Sequence, residues 1–410
     1  MAKHDVHVQS DCHASADAVW MIARNFCGSW HPALATVIAE QGGKVRRFTV
    51  QGESAVYREQ LTYFSDSDRS YSYKHLEGIQ NVESYEASFT VTELDETHCH
   101  IDWRATLVAP EPRATAIAEG TAAVFQMGID ALKALVPRRF ILSGQPTIAL
   151  TVTGKPSDTL CLFLHGIGGG KQNWAEQLPA AAQFMQAATM DLRGYGESSL
   201  GATPSIVDDY CDDILRAMAQ LNAKHLLLCG LSYGSWIATS FAMRHPEKLA
   251  GLILSGGCTG MSEASAEERE RFRNSREVPL NEGKTPRDFA PAVVDVIASP
   301  TASAATRKEL FNSMAAIPVA TYRDALQCFT QPKEQFDFSK LTMPVLFVTG
   351  EHDKLATPAE IRNVSQRVHS AAQHKNVRFE VIAGAGHVCN LEAPLAYNVL
   401  LQEFLKGLSA

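Results

Sequence analysis

Three short segments of this chain carry residue types that can make and break an acyl bond. The first, LLLCGLSYGSW, sets Gly230, Leu231, Ser232, Tyr233 and Gly234 between an apolar strand pattern and a helical one, as Gly-x-Ser-x-Gly. A strand that turns sharply into a helix strains its tip residue and leaves no room for side chains beside it, so both flanking positions call for glycine. A serine hydroxyl is a weak nucleophile until a base takes its proton, and that base needs an acid to set its tautomer. FVTGEHDKLATP places Asp353 just beyond a buried strand pattern, and FEVIAGAGHVCNLEAP places His387 just beyond the next. Both fall at the carboxyl ends of strands, where open α/β sheets gather their active-site groups. The expected roles are Ser232 as nucleophile, His387 as base and Asp353 as the acid that orients it. His352 and the other histidines lack this combination, and the rival acid position after LAGLILSGG offers no carboxylate before Glu263.

A tetrahedral intermediate needs N–H donors where its oxyanion forms. CLFLHGIGGG follows a buried strand pattern and supplies such a loop, so the amides of Ile167 and Tyr233 are the expected oxyanion hole. Gly166 and Trp236 flank these positions and are assigned to substrate contact. A glycine-rich loop after a strand can also cradle phosphate, but GIGGG lacks the GxxxxGK[ST] pattern. His165 reads as a loop anchor and not as a second base. The nine cysteines form no CxxC pair and several sit in apolar runs, so they read as reduced packing residues; no metal and no cofactor is expected.

These residues need elements to position them. From Phe140 onward, continuously apolar strand patterns (TIALTV, TLCLFLHG, AATMDLRG, HLLLCG, LAGLILSGG, MPVLFVTGE, VRFEVIAGA) alternate with helical ones at 207–221, 233–245, 359–370 and 393–405. Strands buried on both faces and joined by helices make a mostly parallel sheet. The alternation stops between Met261 and Phe338, where a charged, proline-interrupted segment with apolar faces reads as an inserted helical cap, about 261–338. Upstream, KVRRFTVQG, AVYREQLTYF, SYSYKHLEG, YEASFTVTEL and CHIDWRATLV alternate as antiparallel strands do. They are bracketed by a helical pattern at SADAVWMIARNF, with Ser15 as N-cap, and by another from Ala114 to Leu135. The expectation is an α+β helix-grip at 1–137, an antiparallel sheet around a long helix, joined through VPRRFILSGQP to an α/β domain at 138–410.

Length and composition agree with two soluble domains: 410 residues, 45% of them hydrophobic and 20% charged. No apolar run approaches the roughly 18 residues a membrane span needs. The net charge of −8, without basic clusters, argues against a nucleic-acid or anionic-membrane partner. The N-terminus lacks a basic segment followed by an apolar one, so the cytoplasm is the expected location.

At this point the chain resembles known families. HGIGGG, MDLRGYGESS, GLSYGSW, the Asp353 segment and GHVCNLEAP match in order the landmarks of the α/β-hydrolase superfamily over about 140–408. Within it, the chain is similar to the group of 3-oxoadipate enol-lactonases, haloperoxidase-like esterases and C–C bond hydrolases. The resemblance implies structural roles for Asp191 and Arg193, and it departs at Ser235, where many relatives carry a second glycine. ASADAVWMIARNF, WHPAL, HIDWRATL and ALKAL resemble the SRPBCC (START-like, polyketide-cyclase-like) superfamily over 3–136. That resemblance implies a ligand-binding domain around an apolar cavity; Trp20, Trp30, His31, Tyr57, Tyr73, Tyr85 and Trp103 are candidates to line it or to fill the core.

The leading expectation is a serine hydrolase that cleaves a carboxylic ester or lactone, a small and apolar molecule, through an acyl-enzyme. Two alternatives stand beside it: a C–C bond hydrolase of β-diketone-like substrates, which uses the same triad, and a non-catalytic ligand receptor on a hydrolase fold. Cap arginines Arg269, Arg271, Arg273, Arg276, Arg287 and Arg323 are candidates for a substrate carboxylate or for solvated surface. Oligomeric state is not legible.

Overall fold

Period-two alternation rules residues 2–109, and the computed structural model, which describes residues 1–28, 30–372 and 376–408, shows what it builds. The elements are β1 (Ala2–Cys12), α1 (Ala16–Ala23), β2 (Leu34–Glu40), β3 (Val45–Val50), β4 (Val56–Ser65), β5 (Ser70–Glu77), β6 (Ser84–Asp95), β7 (His98–Ala109) and α2 (Arg113–Leu135). The strands form one antiparallel sheet in the order β1-β7-β6-β5-β4-β3-β2. Along β7 the alternation is strict: Cys99, Ile101, Trp103, Ala105, Leu107 and Ala109 all point inward. Helix α2 presents Phe125, Gly128, Ile129 and Leu132, one face at helical spacing. Trp103 stacks on Phe125 at 4.3 Å, and Gly128 is glycine because a Cβ there would lie 2.7 Å from the rings of both Trp103 and His31. The Ser15 hydroxyl accepts from Ala18 N–H and starts α1 as expected.

The sheet has two strands more than the alternating segments suggest. β1 pairs with β7 over its whole length but buries only Val6 and Cys12, and β2 buries nothing fully, so neither carries a strong apolar pattern. The interior aromatics lock onto one another. Trp103 Nε1–H donates to the Tyr73 hydroxyl at 3.2 Å, Tyr71 stacks on Phe89 at 5.3 Å, and a buried Arg46 pairs with Glu59 at 2.6 Å beneath the Phe26 ring.

The chain divides into two compact units, Met1–Arg138 and Arg139–Ala410, the boundary falling one residue inside the strand at 138–142. The second is built from β8 (Arg138–Leu142), β9 (Ile148–Thr153), β10 (Thr159–Leu164), α3 (Gln177–Ala182), β11 (Gln186–Met190), α4 (Val207–Gln220), β12 (His225–Leu231), α5 (Tyr233–Arg244), β13 (Leu249–Ser255), α6 (Ala266–Asn281), α7 (Pro286–Ile297), α8 (Ala304–Ala315), α9 (Val319–Thr330), β14 (Val345–Gly350), α10 (Pro358–Ala371), β15 (Val377–Ile382), α11 (Cys389–Glu392) and α12 (Pro394–Leu408). The sheet order is β15-β14-β13-β12-β10-β11-β9-β8, parallel from β11 to β15 and antiparallel between β9 and β11. Its central strands are buried on both faces, as a parallel sheet covered by helices requires.

Residues 138–142, read from sequence as junction, form the edge strand β8; the charged Arg138 and Arg139 that hid it suit an exposed edge. Between β13 and β14 the four helices α6 to α9 interrupt the alternation. Pro286 sits at the first position of α7 and Pro318 caps α9, so these prolines mark helix starts. Among the described residues no helix is long and apolar enough to cross a membrane.

Candidate active site

Ser232 stands between β12 and α5 with φ 54° and ψ −112°, a left-handed backbone that a serine adopts only when its surroundings force it. Packing on both sides explains the two glycines. A Cβ at Gly230 would meet the Gly234 carbonyl oxygen at 2.3 Å, and one at Gly234 would meet that of Leu164 at 2.4 Å. The Ser232 N–H donates to the Ser255 carbonyl at 2.8 Å, which ties the turn to the end of β13. Ser235, the departure noted above, has its own buried task. Its hydroxyl lies 2.8 Å from the Gly230 and Ser255 carbonyls and accepts from Ser255 N–H at 3.0 Å, stitching β12 to β13.

Asp353 follows β14 and His387 follows β15, and the two meet. His387 Nδ1 lies 2.8 Å from Asp353 Oδ2, with both side chains buried. A carboxylate only accepts, so Nδ1 carries the proton and Nε2 is the nitrogen with a free lone pair. The other carboxylate oxygen accepts from the N–H groups of Leu355 and Ala356 at 2.8 and 2.9 Å, which fixes its plane. The His387 N–H donates to the Ile297 carbonyl at the end of α7. A Cβ at Gly256 would lie 3.1 Å from the His387 ring, and one at Gly257 would lie 3.2 Å from the Ser232 carbonyl oxygen, so the end of β13 runs against both residues. Glu263, beyond that strand, is instead gripped by Arg367 through both carboxylate oxygens at 2.6 and 2.9 Å, and this contact lowers its pKa.

The glycine-rich loop follows β10. His165 is fully buried: its Nε2 accepts from Leu192 N–H at 3.1 Å and its Nδ1 donates to the Gly166 carbonyl at 2.8 Å, while burial lowers its pKa. Both nitrogens are spent, as a loop anchor requires. Tyr195 donates to the Ile167 carbonyl at 2.9 Å and sets the next peptide. Tyr233 opens α5, so its N–H is one of the first four that a helix leaves without an intrahelical acceptor. Asp191 receives Lys171 at 2.6 Å and Arg193 is buried against Asp213 at 2.9 Å; both hold loops.

A cavity of about 780 Å³ joins these parts, with Gly166, Ile167, Ser232, Tyr233 and His387 in its wall. That size falls within the range of roughly 300–1,000 Å³ for small-molecule pockets. Trp236, expected at the substrate, is not in this wall: it is fully buried behind Tyr233 and Phe329, and its indole N–H donates to Ser262 at 3.1 Å. The cap supplies wall residues for which the sequence offered no assignment, among them Phe272, Val293, Tyr322 and Phe329, and Glu263 in the wall pairs with Arg367 of α10. Asn173 and Gln172 of the glycine loop both donate to Ser313 of α8, at 3.0 and 3.1 Å, and so tie cap to loop. Only the i, i+4 spacing of Phe272 and Arg276 hinted at a shared face.

Comparison with known proteins identifies both folds. Residues 160–394 match the family model described as the alpha/beta hydrolase fold, and residues 3–137 match that described as polyketide cyclase / dehydrase and lipid transport. The 3-oxoadipate enol-lactonase 2 of Acinetobacter baylyi is 21% identical over 256 residues, 62% of this chain and 91% of that protein. A putative 2-succinyl-6-hydroxy-2,4-cyclohexadiene-1-carboxylate synthase of Bacillus subtilis is 25% identical over 63% of this chain and 95% of its own. Among solved structures, a thermophilic esterase from Thermogutta terrifontis superposes with a TM-score of 0.58 at 23% identity, covering 67% of this chain and all of the esterase.

Proposed function

We propose that this chain, which belongs to the α/β-hydrolase family, is a serine hydrolase that cleaves a carboxylic ester or lactone through an acyl-enzyme intermediate. Ser232 Oγ attacks the acyl carbon while His387 Nε2 takes its proton, and Asp353 holds the imidazolium that forms. The N–H groups of Ile167 and Tyr233 receive the oxyanion. Collapse expels the alkoxide, which takes the proton from His387, and water then repeats the sequence on the acyl-enzyme. The observation that carries this reading is the buried 2.8 Å contact of Asp353 and His387, ending in the same cavity wall as a Ser232 held at φ 54°. The enol-lactonase and esterase relatives support the bond type. Ile167, Leu231, Phe272, Val293 and Phe329 in the wall favour an apolar substrate body.

The test is hydrolysis of p-nitrophenyl hexanoate by the parent and by Ser232→Ala. We expect the variant to fall to the solution background; a variant as fast as the parent would discard the reading. For residues 1–137 we propose a ligand-binding domain, on the strength of the matching family description. The nine cysteines, all thiols and mostly buried, support a reducing compartment such as the cytoplasm.

A further inference from the structure

Helix α6 carries Phe272 and Arg276 one turn apart, and both reach the cavity that holds Ser232 and His387. The guanidinium carbon of Arg276 lies 3.6 Å from the centre of the Phe272 ring. Its Nη1 donates to the Phe272 carbonyl at 3.0 Å and to the Ser275 hydroxyl at 2.8 Å. Tyr322 of α9 lies against it, buried; burial raises its phenol pKa, and Arg276 offsets part of that rise. None of these partners is an acid, and among the described residues no carboxylate stands within 4.0 Å of this guanidinium.

Among the described residues the cavity wall holds one other arginine and no lysine, and the remaining cap arginines lie outside it. Arg367, in the same wall, is neutralised by Glu263 at 2.6 Å. Arg273 pairs with Glu277, Arg307 with Asp295, Arg323 donates to Asn281, and Arg287 lies over the Phe311 ring. Glu360, the remaining acid in the wall, caps α10 by accepting from the N–H and hydroxyl of Thr357. Arg276 is thus a half-buried cation, stacked on an aromatic ring in a mostly apolar wall, with no counter-charge. Such a group has given up part of its hydration for neutral partners alone, and an incoming anion supplies the missing counter-charge.

We propose that Arg276 is the specificity-determining residue of this cavity and pairs with a free carboxylate on the substrate, an ester or lactone with an apolar body and one anionic end. The assignment rests on the reading of Ser232 as the nucleophile of the same cavity. A planar guanidinium offers two parallel donors to two carboxylate oxygens. One guanidinium cancels one charge, which suits a carboxylate and not a phosphate dianion.

The experiment compares kcat/KM of the full chain for p-nitrophenyl hexanoate, the mono-p-nitrophenyl ester of adipate, and p-nitrophenyl ω-aminohexanoate. A charge-assisted bidentate contact predicts that the parent prefers the adipate ester over the hexanoate by about tenfold or more. In Arg276→Gln that ratio falls to near one, Arg276→Lys keeps part of it, and Arg271→Gln, on the exposed side of the same helix, keeps all of it. A parent ratio near one, a preference that survives in Arg276→Gln, or a preference for the ammonium ester would overturn the proposal, the last pointing to Glu360. Calorimetric binding of adipate to the Ser232→Ala form needs no turnover and separates the two readings. Adipate binding about tenfold weaker in Ser232→Ala/Arg276→Gln upholds the Arg276 assignment even if no ester is cleaved; equal binding overturns it.

Discussion

Each unit of this chain buries histidine, and His31 of the first and His387 of the second are held in opposite ways. His31, in the first unit, is 4% exposed; its Nε2 donates to the Val124 carbonyl at 3.0 Å and its Nδ1 accepts from Ala33 N–H at 3.1 Å. His387, in the second, is 5% exposed, but its Nδ1 is anchored on a buried carboxylate and the ring forms part of a cavity wall. Burial alone does not separate them; their partners do. Two backbone contacts lock a neutral ring, whereas one carboxylate contact stabilises the charge that the ring acquires when it accepts a proton. The arginines repeat the contrast: Arg46 in the first unit is consumed by Glu59, and Arg276 in the second faces no acid.

The comparison breaks first at the histidines themselves. His387→Ala should lower kcat on an activated ester by about 10⁴-fold or more. His31→Gln should leave kcat within about twofold. A large loss from His31→Gln would show that burial, and not the partner, sets the role.

The serine turn is the next largest effect. A methyl at Gly234 meets backbone oxygen at 2.4 Å, so Gly234→Ala should destabilise the second unit by about 3 kcal/mol or more in urea unfolding, with loss of activity. At Gly407, where a Cβ meets nothing, the same change should cost far less.

The pH dependence of the first unit sharpens the contrast further. Burial pushes the His31 pKa from 6.5 down to about 4. The unfolded state therefore binds the extra proton across that window, so stability is full above pH 6.5 and is lost as pH falls through 4, by up to about 3 kcal/mol. His31→Gln should flatten this part of a stability profile followed by tryptophan fluorescence; an unchanged slope would assign it to other groups.

How much of this was legible followed from how strongly each element is patterned. Ser232 and Asp353 each follow a largely buried apolar strand, so their placement at strand ends was readable; β15, before His387, was read as buried too but is an edge strand that carries Arg378 and Glu380 and fully buries only Ile382, yet the structure brings Asp353 and His387 into contact. Strands β1, β2 and β8 were not, because edge or half-exposed strands bury too few residues to stand out; β1 shows only Val6 and Cys12. Trp236, in the GLSYGSW segment, was expected at the substrate. Helix α5 is buried on every side, so nearness along it does not bring a side chain into the cavity. Arg276 was one of six cap arginines, and only the packing of α6 and α9 singles it out.

The central claim is that Ser232 is the activated nucleophile. The most direct measurement is peptide mapping by mass spectrometry after a fluorophosphonate treatment of the full chain, run beside His387→Ala. One adduct, on the peptide containing Ser232, formed rapidly in the parent and slowly in the variant, is the predicted result. An unmodified Ser232, or equal labelling in the two proteins, would contradict it.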